Sequence, residues 1–171
     1  MTPKQAADFF QNQILNYIQD LLLDLSETTY SQPIAPGKWS PKQIIGHLID
    51  SANNNHARFI KAQMKEDLIF EGYAQVEWVD LQHYHQRDWS TLVSFWHHYN
   101  LHICHIIDNI SEEAWRKKRA QHSLDKMAWQ TRPTNEPVTL GYFVLDYIGH
   151  LEHHVRQIIP DYVPKLIQNP L

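Results

Sequence analysis

The sequence predicts an all-α protein, a four-helix bundle, on two observations. Four long stretches carry apolar residues at helical spacing, and no stretch shows the strict alternation of a half-buried strand. At 171 residues the chain fits one domain, so the expectation is a single bundle domain over 1–171.

The first helix is predicted from about Ala6 to Leu25, where Phe9, Ile14, Ile18, Leu21, Leu22 and Leu25 recur without an intervening Gly or Pro. A polar linker follows, Ser26 to Lys38, in which Pro33 and Pro36 forbid a continued helix. The second helix opens on Ser40, a good N-cap, with Pro41 at the first helical position, where its missing N–H is harmless. Ile44, Ile45, Leu48, Ala52, Phe59 and Ile60 carry its apolar face to about Lys65. The stretch from Glu66 to Arg87 has no clean period, and a connection of that length is expected to cross the bundle or cover a site. The third helix starts near Asp88 or Ser90 and runs to about Ile110 on Leu92, Phe95, Trp96, Tyr99, Ile103, Ile106 and Ile107. A second connection, Ser111 to Pro137, holds a short helix near Glu112 to Lys118. The fourth helix opens at Thr139 and reaches about Ile159, and the tail from Asp161 to Leu171, with Pro164 and Pro170, is expected to pack loosely.

Composition narrows the function. A net charge of −4 and a pI near 6.3 build no field for nucleic acid, and the Arg116–Arg119 basic run reads as a solvated helix end beside Glu112 and Glu113. No apolar run reaches the eighteen or so residues of a membrane span, and the start Met1-Thr2-Pro3-Lys4-Gln5 does not resemble a signal peptide. The lone Cys104 allows no internal disulfide and reads as a small core or boundary residue; a cytoplasmic protein is expected. Five glycines form no phosphate-cradling motif, whereas 12 histidines stand out.

Helical geometry sorts the histidines of the last helix. At about 100° per residue, His154 lies roughly 50–60° and His150 roughly 90° from the centre of the apolar face, on the same side. His153 and Glu152 fall on the solvent side, His153 about 150° away. His150 and His154, at i and i+4, therefore share an interior edge and can bind one ion. His47 flanks the apolar stripe of the second helix. Together the three offer nitrogen ligands with one coordination position left open. Hydrogen-bonded histidines at the bundle margin are the alternative. His98, His102 and His105, at i, i+4 and i+7, suggest a second site or a polar boundary stripe. His97 is expected to point away from the core and His56 to lie at its boundary. His83, His85 and His122 are assigned to connections, at the mouth of the site or in solvent.

Trp39-Ser40-Pro41-Lys42-Gln43-Ile44-Ile45-Gly46-His47-Leu48-Ile49-Asp50, followed about a hundred residues later by His150-Leu151-Glu152-His153-His154-Val155-Arg156-Gln157, resembles the DinB-like (DinB/YfiT-like) superfamily of candidate metalloenzymes. The resemblance runs from the first helix to Gln157. It implies the metal triad His47, His150 and His154, and an up-down-down-up bundle with a long crossover between helices two and three. It also implies a homodimer, for which the aromatic flank at Trp96 and Tyr99 offers a surface.

Three neutral imidazoles leave the charge of a dication uncompensated, so the ion would acidify a bound water or thiol and polarise a carbonyl. An all-nitrogen set favours zinc, nickel, copper or iron over magnesium and calcium; zinc is the default and nickel the main alternative. Asp50, Asp146 and Gln157 are near enough in sequence to orient the rings. No glutamate occupies the position of a zincin base. The superfamily includes S-transferases that use bacillithiol or mycothiol and a mycothiol-dependent isomerase, so the resemblance implies a metal-dependent hydrolase or a thiol-dependent S-transferase acting on a small molecule. A non-catalytic, stress-related metal-binding bundle is the other reading. The sequence does not select the thiol or the electrophile.

Overall fold

The computed structural model of the protein describes residues 1–166; the last part of the tail, 167–171, lies outside the described residues. Each long helix begins where a side chain takes over a backbone N–H that the first turn leaves unpaired. At Thr2 the exchange is reciprocal: the Gln5 N–H donates to Thr2 Oγ1 at 3.1 Å and the Thr2 N–H to Gln5 Oε1 at 2.9 Å. Helix α1 then runs as one rod through Pro3–Phe9, a π-helical stretch over Phe10–Leu15, and Asn16–Leu23. The wider π turn lets Phe10, Ile14 and Leu15 all reach the core. A short helix, α2 (Glu27–Ser31), sits in the linker. Ser40 and Gln43 repeat the reciprocal cap ahead of α3 (Pro41–Met64), at 3.4 and 3.0 Å.

The next connection contains α4 (Gln75–Leu81) and a 3-10 turn at Tyr84–Gln86. Asp88 caps α5 (Trp89–Asp108) through the Thr91 N–H at 2.8 Å. Then come α6 (Glu112–Arg116), α7 (Leu124–Met127) and α8 (Leu140–Ile158), the last capped by Thr139 on the Tyr142 N–H at 3.0 Å. The four predicted long helices are α1, α3, α5 and α8. No helix among the described residues is long and apolar enough to cross a membrane.

Pairings between helices fix their directions. Trp89 Nε1 donates to the Leu22 carbonyl at 2.9 Å and His97 Nε2 lies 3.0 Å from Asn16 Oδ1, so α5 runs against α1. Tyr99 bonds Asn53 at 3.1 Å and the His56 and His102 rings sit 5.0 Å apart, so α5 runs with α3. His47 meets His150 and His154 while Phe59 meets Phe143 at 5.6 Å, so α8 runs against α3. The order is up, down, down, up. Two consecutive parallel neighbours, α3 and α5, require the chain to travel back the length of a helix of 24 residues, about 36 Å. The long crossover exists for that reason.

Several side chains depart from the sequence expectation, most of them because of a neighbouring element. His97 does not point to solvent: α5 lies between α3 and α1, so it has two buried faces, and His97 is only 6% exposed. Trp96 is fully buried, whereas Phe95 and Ile60, assigned to apolar faces, are exposed. The basic run is not uniformly solvated, because Arg119 is buried and its guanidinium donates to the carbonyls of Ala62, Ala114 and Lys117. His122 is buried too, with Nε2 3.0 Å from the Glu136 carbonyl and Nδ1 accepting the Leu124 N–H. Cys104 is a buried free thiol that burial pushes up to about 12, as a core residue and not a nucleophile. The tail as far as Leu166 is docked, not loose. Tyr162 Oη and the N–H groups of Lys165 and Leu166 all donate to Glu152, which is 1% exposed instead of facing water.

Candidate metal centre

Residue 47 lies two turns into α3, and residues 150 and 154 lie one turn apart near the end of the antiparallel α8, so the two helices bring three imidazoles face to face. His47 Nε2 is 3.4 Å from His150 Nε2, which is 3.1 Å from His154 Nε2. Ring centroids stand 4.6 to 5.3 Å apart with steep interplanar angles, so nitrogen edges converge instead of ring faces stacking. His47 has no exposed surface and lies against Trp39 at 5.2 Å; His150 and His154 are half-buried.

Two glycines make this approach possible. A Cβ on Gly46 would stand 2.1 Å from the Tyr84 ring, and one on Gly149 would stand 2.9 Å from the Trp129 ring. Each glycine directly precedes a site histidine and admits an aromatic ring from a connection against the helix backbone. Tyr84 in turn donates to Asp50 Oδ1 at 2.7 Å, and Gln82 Nε2 to the same oxygen at 2.8 Å, which clamps the crossover onto the turn of α3 that carries His47.

Electrostatics keep the rings neutral. Burial first, and then the neighbouring His154, lower the His47 pKa to about 3. Burial and the other site histidines hold His150 well below the ordinary imidazole value, and burial lowers His154 as well. Gln157 sets the tautomer of His154. Its Oε1, 3.0 Å away, accepts the Nδ1–H, and this leaves the Nε2 lone pair free to face the cluster. Gln157 Nε2 points to His153 Nε2 at 3.4 Å. Of the three proposed orienting residues, only Gln157 touches a site ring. Asp50 serves Tyr84 and Gln82, and Asp146 accepts the N–H groups of Trp129 and Gln130 at 2.8 and 2.7 Å.

The three side chains fit a divalent ion. Nitrogens each about 2.0–2.1 Å from a tetrahedral ion lie about 3.4 Å apart, close to the separations found. All three ligand atoms lie within 4.8 Å of one another, and no Cys, Asp or Glu joins them among the described residues. The second grouping does not assemble: His98, His102 and His105 are exposed, and His98 Nδ1 sits 2.8 Å from its own helix at the Ser94 carbonyl. His83 and His85 are exposed, and His56 is half-buried against Tyr99.

His150 and His154 form part of the wall of a cavity of about 360 Å³ between α3 and α8. Ser51, Asn55 and Arg58 line it from α3, Tyr73 from the crossover, and Trp129 from the second connection. No sequence motif marks these five residues. Ser51, Asn55 and Arg58 were recoverable, since they continue the face of His47 at helical intervals; Tyr73 and Trp129 lie in segments without a period.

Residues 12–158 match the sequence profile of the DinB superfamily. The chain is 30% identical over 157 residues to a proposed metal-dependent hydrolase of Oceanobacillus iheyensis, covering 86% of this chain and 83% of that protein. A proposed metal-dependent hydrolase of Bacillus mycoides is 26% identical over 66 residues, 39% of this chain and 38% of its own. Among solved structures, YfiT from Bacillus subtilis, described as a candidate metal-dependent hydrolase with an unusual four-helix bundle topology, superposes with a TM-score of 0.70 at 17% identity, covering 92% of this chain and 82% of YfiT.

Proposed function

This chain belongs to the DinB superfamily, and we propose that it is a divalent-metal-dependent enzyme acting on a small molecule, with hydrolysis as its first reading. One observation carries the proposal: three imidazole nitrogens converge, without a fourth protein ligand among the described residues, in a cluster whose His150 and His154 line a cavity. A closed shell would favour storage or structure; a three-nitrogen set beside a cavity favours an ion with a position open to substrate. A zinc or nickel ion held by His47, His150 and His154 would supply Lewis acidity, lowering the pKa of a water or thiol and polarising a carbonyl. The protein's own contribution is to keep the three rings neutral, to orient His154 through Gln157, and to shape a polar chamber for the substrate. The relatives named as proposed metal-dependent hydrolases support the same reading.

Thiol-dependent transfer is the second reading, and it too has an observation behind it. Glu152 is locked into the tail, and both Asp146 oxygens take backbone N–H groups, so neither of these carboxylates stands ready as a base. An exogenous thiol needs none, since it loses its proton on ligating the metal. Cobalt substitution separates the two. Growth of a sulfur-to-cobalt charge-transfer band on titration with bacillithiol, mycothiol, glutathione or cysteine, tightening as pH rises and absent in His47→Ala, would support transfer. No spectral change, together with metal-dependent ester hydrolysis governed by an apparent pKa near 7, would support hydrolysis.

We place the protein in the cytoplasm, consistent with its single free thiol, and infer a homodimer. The aromatic flank differs in membership from the sequence expectation, since Trp96 is buried while Phe95 is 53% exposed and stacked on Tyr99. Light scattering is expected to give twice the chain mass. A monomer at high concentration would end the inference.

A further inference from the structure

The α3 wall of the cavity is polar: Ser51, Asn55 and Arg58 line it, in helical register with His47. His47, Ser51, Asn55 and Arg58 fall within a narrow sector of the helix and are all less than 9% exposed. From His47 to Arg58 the line extends about 16 Å, with the three-histidine cluster at one end and a guanidinium at the other. Arg58 is 8% exposed, and Nη2 donates to the Glu71 carbonyl at 2.6 Å. No carboxylate is paired with it among the described residues. A buried cation without a counter-ion is costly, and an anion entering the cavity would offset that cost.

Two neighbouring groups are also incomplete. The Tyr73 hydroxyl is buried with no hydrogen-bond partner, and so is Asn55 Oδ1, whose amide nitrogen is already committed to the Ser51 carbonyl. Both residues line the same cavity as Arg58. The unmet requirements are therefore an anion for Arg58, an acceptor for the Tyr73 O–H, and a donor for Asn55.

We propose that the cavity binds a carboxylate-bearing small molecule, with its carboxylate on Arg58 and Tyr73, a donor such as an amide N–H on Asn55, and its reacting group at the three histidines. A planar guanidinium matches a carboxylate through two parallel N–H···O bonds, and the phenol supplies a third donor. Exposed Lys126 also lines the cavity and adds positive charge, whereas Asp146 has both oxygens occupied by backbone N–H groups. The assignment of the reacting end rests on the function proposed above; the anion end does not.

Calorimetric titration of the metal-free protein tests the anion end alone. Acetate, glutarate and N-acetylglycine serve as carboxylate probes, glutaramide as the uncharged control, and inorganic phosphate as the other anion. At least one carboxylate is expected to bind and glutaramide not to bind. Arg58→Lys, which keeps the charge but loses the fork, should weaken binding by about tenfold. Tyr73→Phe, which removes a hydroxyl that bonds nothing in the protein and so leaves the fold intact, should weaken it by about threefold or more. Zinc loading should tighten a dicarboxylate further, as its second carboxylate reaches the histidine end. Failure of that last step alone would count against the metal reading and leave the anion site standing. The anion site is overturned if no carboxylate binds, if glutaramide or phosphate binds better than every carboxylate, or if Tyr73→Phe and Arg58→Lys both bind like the parent.

Discussion

Replacing His154 with alanine is expected to abolish stoichiometric metal binding, while His153→Ala retains it. The two residues are adjacent in sequence and opposite in role. His154 presents Nε2 at 3.1 Å from His150 Nε2, with its Nδ1–H held by Gln157. His153 is exposed, packs against Trp129 at 5.4 Å and edge-on against the His154 ring at 5.3 Å, and meets the far side of the same amide, with no nitrogen in the cluster. Loss of an outer partner of a ligand costs about 10–100-fold in metal affinity, so loss of a ligand from a set of three should cost more than about a hundredfold. His153→Ala, which removes no nitrogen from the cluster and only outer contacts to Gln157 and the His154 ring, should stay within about tenfold. Zinc or nickel content after dialysis against a weak chelator reads both. Retention by His154→Ala with loss by His153→Ala would reverse the ligand assignment.

The helical wheel separated those neighbours because α8 turns one face to the core at a steady 3.6-residue period, and a histidine pair at i and i+4 inherits that period. The same wheel failed for Glu152. It treats everything opposite the core as water, but residues 162–166 fold back and donate three hydrogen bonds to that carboxylate. It failed for His97 for a related reason, since a helix sandwiched between two others has no single apolar centre. The bundle and its caps were legible because Ser40-Pro41 and Thr139 act locally. Tyr73, Tyr84 and Trp129 reach the site from aperiodic connections, and their placement depends on tertiary contacts that no local pattern encodes. Gly46 and Gly149, each just before a site histidine, were the available hint. A glycine inside a helix lowers its stability unless something must come close.

Freed of metal, the protein is expected to lose stability steeply as pH falls below about 6.5, and to show no contribution from the site histidines between about 7 and 8. Burial depresses all three imidazoles, His47 to about 3 and His150 well below its ordinary value, so in the folded chain they stay neutral where the unfolded chain would protonate them. Below pH 6.5 the unfolded state thus binds more protons, and stability declines with falling pH by up to about 1.4 kcal/mol per pH unit for each fully differential histidine. For His47 alone, the window from 6.5 to about 3 amounts to on the order of 5 kcal/mol, a large part of the total stability of a domain. His56 and His97, also lowered by burial, act in the same direction. Asp50 and Asp146 act in the opposite one, because burial raises their carboxyls and folding then gains as they protonate. A variant isolates the site from these others. His47→Gln keeps a neutral polar side chain and removes one titration, so its urea midpoints at pH 5, 6, 7 and 8, measured in EDTA, should fall less between 6 and 5 than those of the parent. Parallel profiles for parent and variant would mean that burial does not hold His47 neutral in the folded chain.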